Sequence, residues 1–158
     1  MHNEGLSPIV KIIAAMLFPF ILLYSMYIIL HGHVTPGGGF QGGAIGASAV
    51  VLLIVAFGAD YVQRKTSKEN ISMLESIGGL TFIITGLLGL IAATTFLTNF
   101  LVGEPFLGEI PTWGGGAGIL NSGGTLPLLN MAVGLKVIGG LASVVLVMAL
   151  ATKKEEQP

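Results

Sequence analysis

One positive charge, Lys136, stands inside an otherwise uncharged apolar run spanning about residues 126–150. A lysine at the centre of a membrane helix costs at least ~2.5–3.5 kcal/mol, and such residues usually face a protein interior or a water pathway. Gly139 and Gly140 follow at i+3 and i+4 and Ser143 at i+7. That spacing puts Lys136 on a helix face with little side-chain bulk, where another helix or water can approach. Asp60, Glu75, Glu104 and Glu109 all read as span ends or loop positions. The expectation is therefore that the chain itself offers no carboxylate at the depth of Lys136. Since desolvation disfavours a charged amine, either the lysine is neutral for part of its working life or another polypeptide supplies the counter-charge. Two roles stay open: a structural ion pair with a neighbouring subunit, or a titratable step in a proton or cation path.

The segment 31–43 reads His-Gly-His-Val-Thr-Pro-Gly-Gly-Gly-Phe-Gln-Gly-Gly. Three glycines after Pro36 can take backbone conformations closed to other residues. They lead into the start of an apolar span, where free N–H groups and the helix dipole favour an anion or a carbonyl. No Gly-Lys-Ser/Thr follows, so this is not a phosphate-binding P-loop. Gly37, Gly38, Gly39, Phe40, Gly42 and Gly43 are expected to form a tight turn packed against a neighbour. His31 and His33 are two residues apart, which is neither helical-face spacing nor a complete metal site. Histidine changes charge near neutral pH, which makes both weak candidates for proton uptake beside the commoner role of interfacial hydrogen bonding. With no cysteine in the chain, thiolate-held clusters and haem attachment are excluded. No cofactor and no metal site is expected.

The elements that must position these residues are membrane helices. Of the 158 residues, 53% are hydrophobic and 9% charged, against roughly 25% charged in a soluble domain. A helix crosses a hydrocarbon core of about 30 Å with roughly 20 apolar residues. Four stretches meet this, at about 9–30, 42–59, 76–97 and 126–150, giving an all-α, single four-helix membrane domain over 1–158. Pro19 is expected to kink the first span. The first apolar run is too long for a signal-peptide core and is read as a retained helix. No repeat relates the two hairpins, so an inverted-repeat transporter is not indicated.

Basic residues set the expected orientation. Lys11, Arg64, Lys65, Lys68, Lys153 and Lys154 fall on one side of a four-span chain, and the two opposite connections hold no Lys or Arg. The positive-inside rule then places both termini in the cytoplasm of a cell-membrane protein. A net charge of −1 offers no nucleic-acid surface. Gly39, Gly43 and Ala47, with Gly42 and Gly46, form small-xxx-small rows, and Gly78, Gly79, Gly86 and Gly89 continue the theme. Such rows let helices approach closely. The connection 98–125 is long enough to be a binding surface. It carries Pro105, Pro111, Trp113 and Gly114-Gly115-Gly116, and Trp113 is expected to mark the membrane interface.

The stretch His31–Gly43, with its His-Val-Thr-Pro-Gly-Gly-Gly-Phe-Gln-Gly-Gly ending, closely resembles the signature of the B-type subunit of the Mrp (Mnh) multisubunit cation/proton antiporters. A preceding span over 9–30 and a fourth span with Asn130-Met131-Ala132-Val133-Gly134-Leu135-Lys136 extend the resemblance over most of the chain. It implies a small noncatalytic membrane subunit of a large Na⁺/H⁺ exchange assembly, in company with other membrane subunits and the lipid bilayer. Homologous modules occur in archaeal membrane-bound hydrogenases and sulfur-reducing respiratory complexes, where redox centres belong to other subunits. The resemblance highlights Gly37, Gly38, Gly39, Phe40, Gly42 and Gly43, with Lys136 as the embedded charge. A purely structural scaffold that holds larger antiporter-like subunits together is the alternative.

Overall fold

The computed structural model describes residues 6–34, 36–109 and 122–155, the last three by backbone only. It comprises helices α1 (Pro8–Leu30), α2 (Gly38–Phe57), α3 (Ala59–Lys65), α4 (Lys68–Ala93) and α5 (Leu126–Glu155). Among the described residues there is no strand, only an isolated bridge between Glu109 and Ser122. Pro8–Leu30, Gly38–Phe57, Lys68–Ala93 and the Leu126–Thr152 part of α5 are long and apolar enough to cross a membrane.

The helices α2 and α5 form the centre, with α1 packed on α2 and α4 packed on α5. Gly39 lies against Asn130, Gly43 against Val137 and Gly46 against Ile138, so α2 and α5 run parallel. Gly78 lies against Ala132 whereas Gly139 lies against Ile71, so α4 runs antiparallel to α5. Between α1 and α2, the Ser25 hydroxyl donates to the Gly42 carbonyl at 2.7 Å. Small residues occupy the seams: Ala14, Ala47, Ala49, Ala132 and Ala142 are all buried. Ile9, Phe20, Leu23, Ile83 and Ile91 point outward and are exposed. Small residues within and large apolar ones without is the distribution a lipid solvent selects.

Four span boundaries differ from the sequence reading. The expected turn 38–43 is helical, since α2 begins at Gly38. Only Gly37 (φ 102°) and Gly38 (φ 44°) have left-handed backbone there, where glycine carries no Cβ penalty. The third span is Lys68–Ala93 rather than 76–97. Its start is fixed by Ser67, whose hydroxyl oxygen accepts the Asn70 N–H at 3.2 Å, and by Glu69 in the first turn, both favourable to a helix N-terminus. Its end is fixed by Thr94 in the left-handed region (φ 61°). Phe96 and Leu97 then fold back over Gly86, with the Leu97 N–H donating to the Gly86 carbonyl at 3.3 Å. The second span stops at Phe57 because Gly58 (φ 92°) breaks it, and α3 follows with Asp60 in its first turn and Arg64 and Lys65 in its last. Helix α1 stays continuous through Pro19.

The long connection is tied to the start of α5 by Asn99. Its Nδ2 donates to the Gly123 carbonyl at 2.9 Å, and its Oδ1 accepts from the Thr125 N–H at 2.7 Å. Pro111, Trp113 and the Gly114-Gly115-Gly116 run lie outside the described residues.

A Cβ on Gly43 meets the Val137 Cβ at 2.7 Å and the Gly134 carbonyl at 2.9 Å. Overpacking a close seam costs about 1–3 kcal/mol, so Gly43→Leu should lower the aggregation temperature of the detergent-solubilised protein. Phe40→Leu, at a position 64% exposed, should leave it within error. Size-exclusion chromatography after a heating series checks both.

Candidate ion-path site

Lys136 is the eleventh residue of α5, about 15 Å along the helix from Leu126. Its Nζ lies 3.3 Å from Oε1 of Glu75 on α4. This corrects the sequence reading: the carboxylate partner of Lys136 belongs to the same chain. Because α4 starts eight residues earlier than expected, Glu75 is not a span end. It stands inside the helix, two turns beyond Lys68.

The pair is built by the glycines beside it. Glu75 is followed by Gly78 and Gly79, and Lys136 by Gly139 and Gly140, so both charges sit in a charge-x-x-Gly-Gly pattern. In two antiparallel helices this makes the contact reciprocal. A Cβ at Gly78 strikes the Lys136 N at 2.6 Å, and one at Gly139 strikes the Glu75 N at 2.8 Å. The first glycine of each pair thus admits the opposite backbone. The second admits the opposite side chain: a Cβ at Gly79 meets the Lys136 Nζ at 3.7 Å, and one at Gly140 meets the Glu75 Oε1 at 3.7 Å. Each charged chain lies across the other helix's glycine.

The side chains of Lys136 and Glu75 remain 54% and 38% exposed on the surface of this chain. An ammonium has three donors and a carboxylate about four acceptor positions, so one mutual hydrogen bond leaves capacity on both. The pair is therefore open to a further polar group, to water or to a cation.

The glycine motif serves a different end of the molecule. The α2 N-cap, Gly37, has no side chain to cap its helix. Asn130 of α5 reaches across instead, its Oδ1 accepting the Gly39 N–H at 3.4 Å, which satisfies one of the free donors of the first turn. The site at the start of α2 is thus filled by a side-chain carbonyl. Sequence reasoning did not single out Asn130 for this helix-capping contact, although a polar residue in an apolar span, six before Lys136, was the available signal. It missed Glu75 too, whose signal was the shared charge-x-x-Gly-Gly spacing.

His31 and His33 lie in the turn after α1 and are not brought to the ion pair. Gly32 between them packs by Asn130, about 9 Å along α5 from Lys136. The His31 Nδ1 is 3.0 Å from the Tyr27 carbonyl and its ring lies 4.1 Å from the Tyr27 ring. His33 packs against Gly123. Among the described residues, no three His, Asp or Glu side chains group as a metal site.

Residues 9–143 match the family model described as a domain related to the MnhB subunit of Na⁺/H⁺ antiporter. An uncharacterized protein of Methanocaldococcus jannaschii is 34% identical over 142 residues, covering 87% of this chain and 50% of that protein. The B-type Na⁺/H⁺ antiporter subunit of Bacillus subtilis is 35% identical over 100 residues, covering 63% of this chain and 69% of that one. Among solved structures, a chain of the membrane-bound sulfane sulfur reductase, an archaeal respiratory membrane complex, matches with a TM-score of 0.72 and 35% identity. That match covers 94% of this chain and 62% of the reductase chain. This chain thus spans half the length of the Methanocaldococcus relative. With the match running from residue 9 to residue 143, the protein belongs to the family of domains related to the MnhB subunit of Na⁺/H⁺ antiporters.

Proposed function

We propose that this protein is a noncatalytic membrane subunit of a Na⁺/H⁺ exchange module, working beside other membrane subunits in an antiporter or in the ion-translocating arm of a respiratory complex. Family membership supports the setting, and one observation carries the role: a half-exposed Glu75–Lys136 pair inside two apolar spans. The Glu75 carboxylate can be satisfied by the Lys136 ammonium, by a proton or by a sodium ion. A choice among three positive partners is what an exchanger needs next to its path. Both termini and the Arg64–Lys65–Lys68 loop are assigned to the cytoplasm by the asymmetry of basic residues. No cofactor is assigned to this chain.

The scaffold alternative rests on the glycine seams, and two substitutions separate it from the ion-path reading. Lys136→Met and Glu75→Gln, each in complexes that still assemble, should lower sodium-linked transport by about fivefold or more, the low end of coupling between distinct sites. The charge exchange Glu75→Lys with Lys136→Glu should likewise leave assembly intact but not restore transport, because it puts the carboxylate on α5. Recovery of transport would make the pair purely structural. Transport by everted membrane vesicles, with complex content read on native gels, gives the answer.

Purification of the tagged protein from native membranes in mild detergent should bring other membrane subunits with it. Mass spectrometry of the preparation checks this: antiporter-like subunits alone indicate an exchanger, while nickel–iron or iron–sulfur proteins in addition indicate a respiratory complex. A chain that purifies alone and stable overturns the reading as a component of a larger complex.

A further inference from the structure

Pro19 stands inside the membrane-spanning α1, about 16 Å along the helix from Pro8. Proline has no N–H, so the Ala15 carbonyl lacks the donor that an α-helix supplies at i+4. In a bilayer such a carbonyl is satisfied by a local 3₁₀ or π turn, a nearby Ser or Thr, an ordered water or a neighbouring helix. Helix α1 is uninterrupted α-helix here, and residues 12–23 hold no hydroxyl or amide side chain. The residues that α1 buries against the rest of the chain are Ala14, Ser25 and Ile29, whereas Ala15 and Pro19 are exposed. Among the described residues, no other helix of this chain covers that face.

The same face leads into an apolar groove of about 260 Å³ between α1 and α5, walled by Leu22 and Met26 on one side and by Met131, Leu135 and Ile138 on the other. Ala15, Pro19, Leu22 and Met26 follow at i, i+4, i+7 and i+11, and Met131, Leu135 and Ile138 at i, i+4 and i+7. Each set is one stripe of its helix, at the spacing by which one helix seats another. The one hydroxyl in the groove, that of Ser25, is committed to the Gly42 carbonyl at 2.7 Å. The stripe on α1 thus runs from an apolar groove to a single backbone acceptor.

We infer that this stripe and groove seat a transmembrane helix of another membrane subunit, which brings a neutral side-chain donor, a hydroxyl or an amide, to the Ala15 carbonyl. A lipid chain would fill the groove but has no donor to offer. A second copy of this chain is the poorer match, because its exposed hydroxyls at Ser48, Ser76 and Thr81 already donate to carbonyls of their own helices. A charged donor at this depth would carry a cost of its own. The inference rests on the reading of this chain as one of several membrane subunits, and it names where on the chain one of them sits.

The test is photo-crosslinking in the complete complex in native membranes. Met26, 62% exposed, is replaced by p-benzoylphenylalanine, and in a second variant Leu17 is replaced instead, nine residues and so half a turn around the helix from Met26. Mass spectrometry of the adducts should find a transmembrane peptide of another subunit at position 26, with less captured at position 17. Pro19→Ala returns a donor to the Ala15 carbonyl and leaves the partner's donor unmet. It should lower retention of the captured subunit in detergent about fivefold, the worth of one ordinary hydrogen bond. Alanine is the far better helix former, so lost retention is not a sign of unfolding. Lipid adducts alone at position 26, a second copy captured there, or equal capture at position 17 each overturn the inference. So does unchanged retention in Pro19→Ala. Any of these in a chain that still purifies with other subunits leaves the subunit reading intact, whereas a chain that purifies alone overturns both.

Discussion

Close approach of helices along glycine seams is the constraint from which the rest of this structure follows. In a bilayer, two apolar helices gain little by hiding from lipid tails, so association depends on dispersion and on hydrogen bonds that need short distances. The α2–α5 seam meets this with Gly39, Gly43 and Gly46 against Asn130, Val137 and Ile138, and the α4–α5 seam with Gly78 and Gly139. Large apolar side chains are displaced to the outside, where Phe20, Leu23 and Ile91 stand. The same seams bring otherwise remote polar groups into reach. Asn130 touches the first turn of α2 because no side chain at Gly38 or Gly39 stands between them.

The ion pair is the electrostatic consequence of that packing. A lysine and a glutamate on neighbouring helices are held apart when bulky residues separate the backbones. Here the pattern Glu75-x-x-Gly78-Gly79 runs against Lys136-x-x-Gly139-Gly140, and each glycine pair accepts what the other helix brings. Complete burial would have made the pair a fixed structural bond. Distant in sequence and half open to the surroundings, it keeps unused donors and acceptors in the apolar part of the chain. Charged groups within membrane helices usually pair with one another or face a protein interior or water, and this pair meets the first of these conditions within one chain.

Much of this was legible in the sequence, because membrane spans are the strongest one-dimensional signal a chain carries. The four helices, the depth of Lys136 on the fourth and the close-packing role of the glycines could all be read from apolar runs and spacing. What could not be read was where α4 begins. Hydropathy places the start after the charged stretch 68–75, whereas Ser67 capping and Glu69 in the first turn let the helix begin inside it. That offset of two turns carried Glu75 from a supposed span end to the side of Lys136. At the other end, Phe96 and Leu97 are apolar enough to prolong a span, but Gly86 and Gly89 leave a trough into which the chain folds back. Hydropathy measures the preference of a residue for an apolar medium and says nothing of whether lipid or a glycine trough provides it.

The glycine-rich signature and the ion pair then take complementary parts. The signature gives α2 a start that Asn130 must complete, so the N-terminal ends of α2 and α5 are locked in register. With α5 fixed by α2, and α4 fixed by the Gly78–Gly139 seam, Glu75 and Lys136 have little freedom to drift along their helices. Helices held on both sides keep the Glu75 and Lys136 side chains at one contact distance, 3.3 Å. The conspicuous glycines thus lie away from the ion pair but help set its geometry, and α5, which carries both Asn130 and Lys136, is the element that links the two.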